Sequence, residues 1–103
     1  MLSHYAVHTP LQGKPDKVLN YEKVPENKRQ GKPAYAAMIE SVDESVGRVS
    51  RVLRELGLEK STLVIFTSDN GGSTAENNDT KYPDDHCPNG KLPGNNFPLR
   101  GKK

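Results

Sequence analysis

Asp69 and Asn70 are the residues best suited to hold a metal. A carboxylate and an amide carbonyl at adjacent positions offer two hard oxygen ligands, which fit Ca²⁺ or Mg²⁺ better than a softer ion. The competing use of Asp-Asn-Gly is an Asx-turn that satisfies its own backbone. An EF-hand loop is excluded, because Gly71 stands at its third position and the twelfth, Thr80, is not the bidentate Glu. His8, followed by Thr9 and Pro10, is suited to act as an acid or as a ligand, although a lone histidine also serves as a satisfied structural residue. His4 and His86 carry no further pattern. Cys87, the only cysteine, has no partner for a disulfide or a metal site and no helix N-terminus to lower its pKa. Asn78-Asp79-Thr80 is a glycosylation sequon, meaningful only in a eukaryotic secreted protein.

Three elements are expected to position these groups. Leu2 to Val7 reads as a short buried strand that ends in a turn at His8-Thr9-Pro10. Residues 11–33, with three prolines and two glycines, read as a loop in which Asp16 to Tyr21 supply at most a turn of helix. From Ala34 the apolar positions Tyr35, Met38, Ile39, Val42, Val46, Val49, Leu53 and Leu56 recur at spacings of three and four, apart from the adjacent Met38 and Ile39, which predicts one helical face. Pro33 stands at its start and Gly57 just past its end. Acidic Glu40, Asp43 and Glu44 precede basic Arg48, Arg51 and Arg54, in the order the helix dipole favours.

Thr62 to Thr67 is a continuous β-branched and aromatic run, which predicts a central strand buried on both faces and leading directly into Ser68-Asp69-Asn70. Side chains just past the carboxyl end of such a strand face a crevice where ligands bind. The expected fold class is therefore α/β, and residues 73–98 read as an irregular loop or insertion.

Composition bounds what such elements can build. Leu, Ile, Val and Phe number 21 of 103 residues, and 12 of them fall within residues 34–66. Mean hydropathy is −0.82 and net charge only +2, so the chain lacks both a membrane span and the charge excess of a disordered one. Its core must form around the middle third, and the remainder reads as part of something larger. Charge divides as +3, −1 and zero over residues 1–33, 34–66 and 67–103, with no stripe for nucleic acid. No basic-then-apolar leader follows Met1.

Four blocks occur in order: Ser-His-Tyr-Ala-Val-His-Thr-Pro-Leu-Gln at 3–12, Tyr-Ala-Ala-Met-Ile-Glu-Ser-Val-Asp at 35–43, Leu-Val-Ile-Phe-Thr-Ser-Asp-Asn-Gly-Gly at 63–72 and Pro-Leu-Arg-Gly-Lys-Lys at 98–103. Together they resemble the sulfatase family of the alkaline-phosphatase-like superfamily, over nearly the whole chain apart from residues 13–33 and 73–97. The resemblance implies a mixed, mostly parallel sheet flanked by helices. It also implies that Asp69 and Asn70 coordinate the active-site Ca²⁺, with Mg²⁺ as the alternative ion. His8 matches the histidine that contacts the sulfate and its leaving oxygen, and Lys103, rather than Lys102, matches the sulfate-contacting lysine.

The departures carry information too. The family's nucleophile is a formylglycine made within a Cys/Ser-x-Pro-Ser/Ala-Arg signature, accompanied by a pair of aspartates, and neither occurs here; Cys87-Pro88-Asn89 does not fit the signature. The Tyr-Glu-Gly-Gly segment expected after the lysine is missing as well. Residues 1–103 are thus expected to be the C-terminal part of a sulfatase catalytic domain, with the formylglycine region and the segment after Lys103 outside it. The function implied is hydrolysis of a sulfate ester, small molecule or glycan, by a sulfuric ester hydrolase in a periplasmic, secreted or lysosomal setting. Such a chain alone is expected to be inactive. Two alternatives stand beside this: a phosphoryl or phosphonate ester hydrolase of the same superfamily, against which Asn70 in place of a histidine argues, and a non-catalytic remnant that binds a partner through its amphipathic helix.

Overall fold

The computed structural model describes residues 1–29 and 31–72. Helix α1 spans Pro15–Glu22, a single 3₁₀ turn follows at Glu26–Lys28, and helix α2 spans Pro33–Glu55. Both α-helices begin on a proline at their first turn, where the missing N–H costs no intrahelical bond and the fixed φ suits the helix. Neither has a side-chain N-cap bond. Helix α2 ends where the sequence places its end: Leu56 caps it in the αR region, and Gly57 follows at φ 67°, a left-handed conformation that favours glycine. The Gly57 N–H donates to the Arg54 carbonyl at 3.0 Å and the Leu58 N–H to the Leu53 carbonyl at 2.8 Å, closing off carbonyls of the last turn.

The expected α/β sheet is absent among the described residues. Among the described residues the only regular elements are helices, and neither Leu2–Val7 nor Thr62–Thr67 is a strand. A β-branched run is fitted to a pleated surface, but it becomes a strand only when a neighbouring chain segment supplies the ladder of hydrogen bonds. None of the described segments does so. Leu63, Val64, Ile65 and Phe66 are instead exposed, from 55% for Val64 to 84% for Leu63. The stretch expected to be the most buried in the chain is the most exposed apolar run described.

The core lies elsewhere, between α1 and the first half of α2. Leu11, Val18, Ala34, Ala37 and Met38 form one buried cluster, with Ala6, Val7, Tyr21 and Tyr35 packed partly against it. Three of these residues, Leu11, Val18 and Tyr21, come from the segment expected to be a loop with at most a turn of helix, where α1 forms instead. The alanines explain the choice of face. Small side chains at 34 and 37 let the chain at Gly13 approach α2 so closely that a β-carbon there would lie 2.8 Å from both Ala37 Cβ and Val18 Cγ2. The larger residues of the expected stripe, Ile39, Val42 and Val46, line a neighbouring cavity instead, while Val49, Val52 and Leu56 near the end of α2 are exposed.

An ion cluster fastens the two helices. Lys17 is 7% exposed, and its ammonium donates to Glu40 and, at 2.6 Å, to Glu44, one turn apart on α2. Lys14 reaches Glu44 at 3.5 Å from the more exposed side. Two glutamates at i and i+4 repel one another unless a cation lies between them, and α1 provides it.

Candidate functional site

His8 occupies a turn of residues 5–10 whose shape is set by local bonds. Its N–H donates to the Tyr5 carbonyl at 2.9 Å, so the chain reverses within four residues. The imidazole Nδ1 lies 2.8 Å from the Thr9 carbonyl oxygen. Because a carbonyl only accepts, Nδ1 carries the hydrogen, and in the neutral ring the lone pair is on Nε2. The ring is exposed, so Nε2 is within reach of a ligand.

Asp69 and Asn70 are exposed as well, at the end of the irregular segment 62–68. The Ser68 hydroxyl donates to the Asn70 carbonyl at 2.6 Å, and Asn70 Nδ2 donates to the Gly71 carbonyl at 2.9 Å. With its amide nitrogen engaged, the atom Asn70 has left to offer is Oδ1. Asp69 makes no hydrogen bond or ion pair among the described residues, so both of its carboxylate oxygens are open to a cation. The donor set is thus all hard oxygen, which fits Ca²⁺ or Mg²⁺. Two residues are only part of such a site. Among the described residues no three His, Cys, Asp or Glu side chains gather into a metal-holding group.

The two segments approach one another across α2. Ala6 and Val7, just before His8, share with Phe66, three residues before Asp69, a cavity of about 390 Å³ whose floor is Ile39, Val42, Asp43 and Val46 of α2. Both segments thus border α2, but His8, Asp69 and Asn70 do not themselves line this cavity. Lys103 lies outside the described residues, as do His86, Cys87 and Asn78.

Sequence reasoning missed two sets of partners. Tyr5 lies against His8, with ring centroids 5.1 Å apart and planes tilted by 45°, and its hydroxyl donates to the Thr9 carbonyl at 2.9 Å. Nothing in the spacing Tyr-Ala-Val-His announces a shared acceptor, which depends on the turn. The buried Lys17 was legible in principle, since Glu40 and Glu44 on one helix face call for a cation.

Comparison with known proteins places this geometry in context. The sequence matches the family model described as Sulfatase over residues 1–103. It is 29% identical to mouse (Mus musculus) arylsulfatase J over 102 residues, which is 99% of this chain and 14% of that protein. Shorter stretches resemble mouse steryl-sulfatase, 51% identical over 43 residues (42% of this chain and 7% of that protein), and the arylsulfatase of Klebsiella aerogenes, 40% identical over 42 residues (41% and 9%). The chain therefore spans a small part of the length of each of these relatives. No solved structure matches it significantly. Among the described residues no helix is long and apolar enough to cross a membrane. A match that runs from the first residue to the last, through the blocks that carry His8 and Asp69-Asn70, shows that the chain belongs to the sulfatase family.

Proposed function

We propose that the protein carrying this chain hydrolyses sulfate esters, and that residues 1–103 are the C-terminal part of its catalytic domain. The observation that carries the reading is the family match along the whole chain, including the blocks around both candidate groups. Arylsulfatases and a steryl-sulfatase among the relatives point to an ester whose alcohol is not fixed by these residues. A periplasmic, secreted or lysosomal location accompanies it.

In this reading Asp69 and Asn70 hold a Ca²⁺, or less well a Mg²⁺, through the open carboxylate and Oδ1. A cation held by these two residues would supply positive charge to offset the sulfate oxygens. His8, as the imidazolium with a hydrogen on each nitrogen, gives its Nε2 proton to the departing alcohol oxygen and is left as the neutral ring whose Nδ1–H stays on the Thr9 carbonyl. Lys103 supplies a second positive charge to the anion as the S–O bond breaks. The nucleophile, a formylglycine in the family, is contributed by residues beyond this chain, as are the remaining metal ligands.

The test uses the longer enzyme. Asp69→Ala is expected to lower bound calcium measured by atomic emission and to abolish turnover of an aryl sulfate, because a site with few charged ligands loses much of its affinity with one carboxylate. Lys103→Ala is expected to lower kcat by ~10²-fold or more. Full calcium stoichiometry and activity in Asp69→Ala would refute the metal assignment.

A further inference from the structure

We infer that Tyr5 is a positioning residue for His8, holding the neutral imidazole as its Nδ1–H tautomer so that Nε2 is the nitrogen that takes up a proton and, from the resulting imidazolium, passes it to the substrate. This rests on the reading of His8 as the proton donor above and extends it to a residue that does not touch the reacting atoms.

The Thr9 carbonyl oxygen is the centre of the arrangement. It accepts from Tyr5 Oη at 2.9 Å and from His8 Nδ1 at 2.8 Å, which uses both of its lone pairs. The Tyr5 and His8 rings contact each other in a tilted geometry, centroids 5.1 Å apart, within the range that aromatic pairs favour. The backbone bond from His8 N–H to the Tyr5 carbonyl completes the set. Four contacts thus tie residues 5, 8 and 9 together in a stretch of five residues.

The disposition of Tyr5 is otherwise unexplained. Its side chain contributes nothing to the helical core, and the residue is 69% exposed. A ring that size held in water, rather than folded against apolar neighbours, is fixed here by its hydroxyl and by the imidazole. For His8 the consequence is twofold. Rotation about its side-chain bonds is restricted before substrate arrives, which removes an ordering cost from the reaction step. The tautomer of the neutral ring is also selected: unrestrained neutral histidine prefers the hydrogen on Nε2, whereas the Nδ1–H form keeps the basic lone pair on Nε2, so that the ring is protonated, and donates, at that one nitrogen.

Two-bond ¹H–¹⁵N spectra of the longer enzyme labelled with ¹⁵N-histidine report the tautomer directly. Wild type is expected to show the Nδ1–H form of His8, assigned by its loss in His8→Gln. Tyr5→Ala is expected to shift the ring toward the Nε2–H form and to lower kcat about tenfold with KM within twofold. Tyr5→Phe, which keeps the ring and the fold while losing the hydroxyl, is expected to fall between the two. Retention of the Nδ1–H form in both variants overturns the inference whatever the activity, and so does a shifted tautomer with unchanged kcat. If wild type hydrolyses no sulfate ester, the proposed function fails separately, since the tautomer is read without turnover.

Discussion

At the scale of single residues, two glycines give opposite expectations for the same substitution. Gly13 sits where the chain enters α1, and an added β-carbon would meet Ala37 Cβ and Val18 Cγ2 at 2.8 Å and the Ala34 carbonyl at 3.1 Å. A methyl carbon attached directly to a helix backbone and a carbonyl of the same helix do not swing aside, so Gly13→Ala must force α1 and α2 apart, at about 1–3 kcal/mol. Gly47, on α2, has nothing within 4 Å of the same added carbon. There Gly47→Ala removes backbone freedom from the unfolded chain and is expected to stabilise α2 by about 0.5–1 kcal/mol. Hydrogen exchange of the α2 amides, compared between the two variants and wild type, checks both signs. Protection rising in Gly13→Ala would show that the alanine-lined approach is not the close contact described.

At the scale of elements, the docking of α1 on α2 depends on pH through the ion cluster. The hydrogen bond from Lys17 holds the Glu44 carboxyl below its ordinary value of 4.5, with the nearby Lys14 adding to the effect. A carboxyl depressed in the folded state lends stability above its unfolded pKa and loses it as pH falls through the folded one. Docking should therefore weaken in acid, below about 4.5. The bonds to Glu40 and Glu44 raise Lys17 above its ordinary 10.5, so its contribution is complete below that value and is lost only at more alkaline pH. Burial, and then Glu40, raise the Tyr21 phenol beside them, which keeps it neutral across the same window. Amide exchange of α1, corrected for the intrinsic pH dependence, is expected to accelerate from pH 5 to pH 3 in wild type. In Lys17→Met that acceleration should disappear, because no ammonium remains to be stranded; an unchanged acid limb would remove the cluster from any role in docking.

Helix α2 also marks how far the sequence could be read. Its two ends, Pro33 and Gly57, were legible because each is a residue whose backbone restricts or frees φ at a helix boundary, and local conformation follows local chemistry. Its partner was not. Ala34 and Ala37 read as neutral in a hydrophobic pattern, yet their smallness decides which face receives α1, a fact visible only once Gly13 and Val18 are in place. Strands depend even more on distant residues. The apolar run at 62–67 announced what surface it suits, and could not announce whether a neighbour within this chain would provide it. His8 and Asp69-Asn70 became candidates through the blocks that contain them, whereas the bond from Tyr5 to the Thr9 carbonyl arises from a turn that no spacing rule describes.

At the scale of the whole molecule, the distribution of apolar surface sets the expectation for residues 1–103 expressed alone. The buried cluster consists of Leu11, Val18, Ala34, Ala37 and Met38, a core built largely from small side chains. Against it stand Leu56, Leu63, Ile65 and Phe66, each at least 65% exposed, with Val49, Val52 and Val64 beside them. Four consecutive apolar residues at 63–66, β-branched or aromatic after Leu63 and carrying no charge, are the kind of segment that associates between chains. The small core cannot offset this, since so short a chain buries only roughly 60–65% of its unfolded surface even when well packed. Catalysis is expected to fail for an independent reason: the family's nucleophile signature does not occur in the sequence. The isolated chain is therefore expected to aggregate at micromolar concentration and to turn over no aryl sulfate with calcium present. Light scattering and a sulfate-release assay read the two outcomes separately. Substituting Ile65 and Phe66 by Ser should suppress the aggregation without restoring activity, because solubility and the missing nucleophile are unconnected. A monodisperse wild-type monomer that unfolds cooperatively would mean that these exposed residues are covered within the chain itself, and turnover above buffer that its chemistry does not need the missing residue.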